Sequence, residues 1–125
     1  MSHRTTNLFV IGTGHIGSEL LNQIKERQKE LADKHDLVIN ICGIADKDRM
    51  IFNENGIDLA HWRELLKASS EPTNLDKLRR TIRKLLLVNS VLVDVTASDE
   101  VASSYVDFLK AGIHIVTPNK KANTK

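Results

Sequence analysis

Apolar and polar positions follow two rhythms along this chain. Leu8-Phe9-Val10-Ile11 is a short unbroken apolar run; Leu37 to Ala45 and Val91 to Val95 are nearly so, and Ile113 to Val116 is a fourth. Near-continuous runs of this length are typical of strands covered on both faces of a parallel sheet. Between them the spacing lengthens to three and four residues. Ile16, Leu20, Leu21, Ile24, Gln28, Leu31 and Ala32 predict a helix from about 15 to 34, whose polar last turns project beyond the core. Leu59, Trp62, Leu65 and Leu66 predict a short amphipathic helix. Leu75, Leu78, Ile82, Leu85 and Leu86 predict a third, with Thr73 and Asp76 at capping-box spacing. Val101, Tyr105, Phe108 and Leu109 predict a fourth, capped by Ser98 and closed by Gly112. Residues 1–7 read as a polar lead-in, and Asp46 to Asn55 as an irregular loop before an Asn55-Gly56 turn.

Strands alternating with helices imply right-handed crossovers and helices on both faces of one sheet. The expected fold is therefore α/β: a Rossmann-type, doubly wound parallel sheet in three α/β/α layers, spanning residues 8–116. In such sheets ligands bind at the carboxyl ends of the strands. Those ends are Gly12 to Gly17, Ala45 to Asp48, Thr96 to Ser98 and Thr117 to Lys120.

Composition narrows the function classes. With 125 residues, 41% hydrophobic and 27% charged, the chain suits one folded domain and not a disordered tail. A net charge of +2 argues against a nucleic-acid binder. No apolar run reaches the roughly 18 residues of a membrane span, and the first apolar run stops at Gly12, so no membrane partner or secretory leader is expected. Cys42 is the single cysteine, which excludes an internal disulfide and a cysteine-rich zinc site. His3, His15, His35, His61 and His114 show no metal-ligand spacing, so no metal site is expected. These features point to a reducing cytoplasm.

Gly12-Thr13-Gly14-His15-Ile16-Gly17 matches G-x-G-x-x-G in the setting that gives the pattern meaning, after a strand and opening a helix. Gly12 permits the tight turn, Gly14 lets a pyrophosphate approach the backbone, and Gly17 lets helix and strand pack closely. Free amides and the positive helix end then hold the anion, with His15 contributing its backbone N–H. The acid that reads the adenosine ribose normally follows by about 20 residues. Asp46 is the candidate, 29 residues after Gly17. Lys47 and Arg49 stand beside it and could instead pair with a 2′-phosphate, which leaves NAD and NADP both open.

Thr96 and Ser98 place hydroxyls after the third apolar strand, and Pro118-Asn119-Lys120 follows the fourth. A lysine at Lys120 can stabilise or protonate a carbonyl oxygen during hydride transfer. Here the chain resembles the nucleotide-binding domain of homoserine dehydrogenases, most closely the type fused behind aspartokinase. The resemblance runs from Leu8 to Thr124. It is carried by Phe9 to Gly14, by Val93-Asp94-Val95-Thr96-Ala97-Ser98, by Glu71-Pro72 before Asn74-Leu75, and most specifically by Thr117-Pro118-Asn119-Lys120-Lys121-Ala122.

The resemblance implies cofactor contacts from Thr13 to Gly17, from Ala45 and from Thr96, with Lys120 in the active site. It implies reversible hydride transfer between NAD(P)H and aspartate 4-semialdehyde, giving homoserine on the route to threonine, methionine and isoleucine. It also implies a substrate domain after residue 117, to which residues 117–125 begin the connection, and a homo-oligomeric full-length enzyme. By itself the fragment is expected to bind cofactor but to lack full activity. A stand-alone NAD(P)-sensing module is the alternative of a different class. A methyltransferase is a third, because adenosyl cofactors also lie over glycine-rich loops.

Overall fold

The computed structural model describes residues 4–118. In chain order the elements are β1 (Arg4–Ile11), α1 (His15–His35), β2 (Leu37–Ala45), β3 (Met50–Phe52), α2 (Trp62–Lys67), α3 (Leu75–Leu85), β4 (Ser90–Asp94), α4 (Asp99–Ser103), α5 (Tyr105–Lys110) and β5 (His114–Val116). They form a five-stranded sheet in the order β3-β2-β1-β4-β5. The pairs β1–β2, β1–β4 and β4–β5 are parallel, as expected for the Rossmann-type α/β class.

Helices cover both faces, which explains why the strands carry so few polar residues. On one face Leu21 and Ile24 of α1 and Trp62 and Leu66 of α2 pack on Val10, Ile41, Ile44 and Val93. On the other, Leu78 and Ile82 of α3, Val101 of α4 and Phe108 of α5 pack on Phe9, Ile11, Cys42, Ala45 and Leu92. Each large apolar side chain buried this way contributes about 1.5–3 kcal/mol. A bulge between Leu8 and Phe9 in the β1–β2 register pairs Leu8 with Ile41 and Phe9 with Gly43, leaving Cys42 as the extra residue. Gly43 leaves room for Phe9, whose ring carbon would lie 2.5 Å from a Cβ there.

The structure differs from the sequence expectation at several points. β1 begins at Arg4, so residues 4–7 are strand and not lead-in. Asn7 is buried among polar partners: its Nδ2 donates to the Val88 carbonyl at 2.7 Å, and its Oδ1 accepts from Asn40 Nδ2 at 3.3 Å. Hydrogen bonds, not apolar side chains, carry that end of the strand. Within the expected loop, Met50–Phe52 forms an antiparallel edge strand on β2. The cap of α3 is Asn74, whose Oδ1 accepts from the Lys77 amide at 2.9 Å, and not Thr73. The helix expected after Ser98 is split at Ser104, whose hydroxyl donates to the Val101 carbonyl at 2.6 Å. Ile16, Leu65, Leu86 and Leu109, expected on buried stripes, are exposed; Leu86 ends α3 in the left-handed conformation. No helix among the described residues is long and apolar enough to cross a membrane.

Candidate functional site

The carboxyl ends of β1, β2 and β4 open into a cleft of about 550 Å³. Its floor is Ile11 and the loop Gly12-Thr13-Gly14. One side is Asp46, Lys47 and Asp48 facing Thr73 and Leu75, and the other is Thr96, Ser98, Glu100 and Val101.

The three glycines of the loop differ in what surrounds them. Gly12 has φ +110°, where an L side chain is strained, and a Cβ would meet Val95 and the Thr96 methyl at 3.1 Å. At Gly17 a Cβ would lie 1.9 Å from the Gly12 carbonyl oxygen, so the helix rests directly on the end of the strand. At Gly14 a Cβ would meet nothing within 4 Å. Gly14 is thus not filled by the protein, although it caps α1 and no side chain caps that end. The first turn of α1 contains no acidic residue, so no carboxylate of that turn offsets the positive helix end. Two bonds fix the loop from within: Ser18 Oγ donates to the Thr13 carbonyl at 2.8 Å and the Gly12 amide donates to the Ala45 carbonyl at 2.8 Å. An open backbone surface with helix-end amides fits the diphosphate of a dinucleotide.

At the end of β2, Asp46 organises a turn. Its Oδ1 accepts from the amides of Asp48 at 2.8 Å and Arg49 at 2.7 Å. A second segment fastens this turn: Thr73 Oγ1 donates to the Asp46 carbonyl at 2.8 Å, and the Thr73 amide to the Asp48 carbonyl at 3.1 Å. Arg49 turns away, and its guanidinium donates to the Lys67 carbonyl at the end of α2.

At the end of β4, Asp94 is fully buried and is the local hub. Its Oδ1 accepts from the Thr96 amide at 2.9 Å and the Thr96 hydroxyl at 2.6 Å, and its Oδ2 accepts from the Tyr105 hydroxyl. Thr96 Oγ1 in turn accepts from the Ser98 amide at 3.2 Å. The Thr96 hydroxyl therefore faces the protein, and its methyl supports Gly12. Ser98 Oγ accepts from the Val101 amide at 3.2 Å and caps α4.

A family model described as "Homoserine dehydrogenase, NAD binding domain" matches residues 12–125. The chain belongs to this homoserine dehydrogenase NAD-binding domain family. It is 42% identical over 122 residues to the bifunctional aspartokinase/homoserine dehydrogenase of Haemophilus influenzae, covering 98% of this chain and 15% of that protein. It is 36% identical over 123 residues to the homoserine dehydrogenase of Schizosaccharomyces pombe, covering 97% of this chain and 32% of that one. The chain thus spans a small part of the length of these relatives. A solved hyperthermophilic archaeal homoserine dehydrogenase mutant, in complex with NADPH, superposes with a TM-score of 0.69 at 24% identity, over 93% of this chain and 36% of that one, and shows the shared fold.

For a homoserine dehydrogenase NAD-binding domain, the structure distributes the sequence-derived candidates unevenly. Gly12, Thr13, Gly14, Asp46, Thr96 and Ser98 share the cleft wall. Gly17 lies beneath it as a packing position. Ala45 is buried and offers its carbonyl to Gly12. His15 and Ile16 are exposed on the first turn of α1, and the His15 ring borders a separate groove with Lys25 and Arg63. Asn119 and Lys120 lie outside the described residues. Sequence reasoning missed Thr73 and Leu75, which reach the cleft from a segment remote in sequence, and the Asp94–Tyr105 contact. The Arg49–Pro72 bridge that brings the remote segment in has no signature in hydrophobic periodicity.

Cys42 serves none of this. It is buried in β2, and burial pushes its thiol up to about 11.

Proposed function

We propose that this domain binds NAD or NADP across the ends of β1, β2 and β4 and serves homoserine dehydrogenase chemistry. That chemistry interconverts L-homoserine and L-aspartate 4-semialdehyde. The observation that carries the proposal is the pairing of Gly17, closed against the Gly12 carbonyl, with Gly14, open to solvent beneath helix-end amides. A plain glycine turn has no reason to keep the second position empty while closing the first. The cofactor supplies or accepts the hydride when bound; the chain's own residues hold and orient it. Amides of the Gly12 to Gly17 loop hold the diphosphate. Asp46 faces the adenosine ribose, and the Asp94–Thr96 lock fixes the wall at the nicotinamide end.

Lys120 belongs to the same proposal, as the group that meets the substrate's carbonyl oxygen. Substrate recognition then falls to residues beyond this domain, and the domain alone is expected to bind cofactor without full turnover. A cytoplasmic setting and a homo-oligomeric complete enzyme complete the reading; the buried free thiol of Cys42 is consistent with the first. Two experiments test the proposal. NADH fluorescence titration of this chain should show saturable binding; its absence in folded protein removes the cofactor site. In a complete homoserine dehydrogenase carrying this domain, Lys120→Ala should lower turnover at least about 100-fold with cofactor affinity largely kept; unchanged turnover removes Lys120 from the chemistry.

A further inference from the structure

The adenosine end of the cleft carries more information than the glycine loop. Among the described residues, four charged residues line the cleft: Asp46, Lys47 and Asp48 at the end of β2, and Glu100 across from them, so that three are carboxylates and one is a lysine. Arg49, the second cation that the sequence offers nearby, is committed elsewhere. Its guanidinium donates to the Lys67 carbonyl at the end of α2, and its backbone is bridged to Pro72. The turn cannot easily swing to bring Arg49 back. It is fixed by two amide bonds to Asp46 Oδ1 and by Thr73 on the outside. Those two amides use the lone pairs of Oδ1, which leaves Oδ2 as the oxygen able to accept from a ribose hydroxyl.

Given the cofactor reading above, on which this inference rests, we infer that the domain selects NAD(H) over NADP(H), with Asp46 as the discriminating residue. A ribose 2′-hydroxyl can donate to the Asp46 carboxylate. A 2′-phosphate offers no such donor at neutral pH and adds negative charge beside Asp46 and Asp48. Sites that accept the phosphate bring a cation such as a guanidinium to it, and here the Arg49 guanidinium donates to the Lys67 carbonyl and does not line the cleft. The diphosphate itself is insensitive to this acidic lining, because backbone amides and the helix end hold it.

The test is a titration of the 125-residue chain with NADH and NADPH in parallel, at low salt, followed by nicotinamide fluorescence, with circular dichroism to establish folding. NADH should bind at least about tenfold more tightly than NADPH. Asp46→Asn keeps an Oδ1 to receive both amides, so the turn survives while the charge goes. In that variant the gap should close to within about threefold, chiefly through tighter NADPH binding. Lys47→Gln removes the one cation among the described cleft residues and should widen the wild-type gap, which gives a second reading should Asp46→Asn fail to fold. Equal affinities, or tighter NADPH binding, in the wild-type chain overturn the NAD assignment and leave the cofactor site standing. Binding of neither nucleotide by folded protein overturns the site and the assignment together.

Discussion

Gly14 and Gly17 belong to the same motif, three residues apart, yet alanine should act oppositely at the two positions. At Gly17 the new methyl would sit 1.9 Å from the Gly12 carbonyl oxygen and 2.8 Å from its carbon. Ordinary contact needs more than 1 Å of extra room, and the obstructing atoms are backbone, which cannot rotate aside. Overpacking typically costs about 1–3 kcal/mol, and a rigid obstacle places this case at about 3 kcal/mol or above. For a domain of this size that lowers the melting temperature by about 10 °C or more. At Gly14 the methyl meets nothing within 4 Å, and φ is −70°, which any residue adopts. Alanine gains about 0.4–1 kcal/mol by restricting the unfolded chain. It loses a similar amount as a poor N-cap. Stability should therefore change by less than about 1 kcal/mol. Binding should not survive so well, because the methyl occupies the space through which a diphosphate reaches the amides. Losing one charge-assisted hydrogen bond of about 1.5–3 kcal/mol weakens NADH binding by roughly 10- to 100-fold. Thermal melts by circular dichroism and NADH titrations on the same preparations read both effects. A Gly14→Ala protein that binds like the wild type refutes the placement of the diphosphate over Gly14. A Gly17→Ala protein that melts like the wild type refutes the contact between α1 and the end of β1.

Three further outcomes follow from other parts of the structure. Tyr105→Phe removes the hydroxyl that donates to buried Asp94 Oδ2 and should cost about 1–3 kcal/mol in chemical denaturation; no loss would show that the contact adds no net stability. Cys42, with its thiol raised to about 11 and no exposed surface, should resist iodoacetamide at pH 8 in native protein and react after guanidinium unfolding; prompt native labelling would contradict its burial in β2. His61 donates to or shares a proton with Asp58 at 2.8 Å, which raises its pKa and lowers that of Asp58. The histidine's part of that interaction is fully present below the ordinary histidine range and is lost as pH rises through the raised value, so an NMR titration should place the His61 midpoint above 6.5, and Asp58→Asn should bring it down.

Much of the fold was legible because buried parallel strands write themselves as apolar runs and surface helices as three-four spacing. What escaped was held by polar contacts or by distance along the chain. Arg4 to Asn7 is strand because Asn7 is paired with Val88 and Asn40, which no hydrophobic pattern reports. Met50–Phe52 is too short to show a period, although Met50 itself is buried in the core. Leu86 satisfies a helical spacing but ends α3 in a left-handed residue, so its side chain leaves the core. In the site, the glycine loop was visible because its geometry demands particular residues. Thr73 was not, because it meets Asp46 only through a turn that tertiary structure creates. Ile16 is exposed because the buried face of α1 runs through Gly17, Leu21 and Ile24, and Ile16 sits about 100° round the helix from Gly17.

The central claim is that a nicotinamide dinucleotide lies over the Gly12 to Gly17 loop. Amide NMR spectra of the isotopically labelled chain, recorded while NADH is added, address it directly. The account predicts the largest shifts at Gly14, His15, Ile16 and Gly17, with smaller ones at Asp46 and Thr96. Shifts confined to the groove beside Lys25 and Arg63, or to residues away from the strand ends, would contradict it.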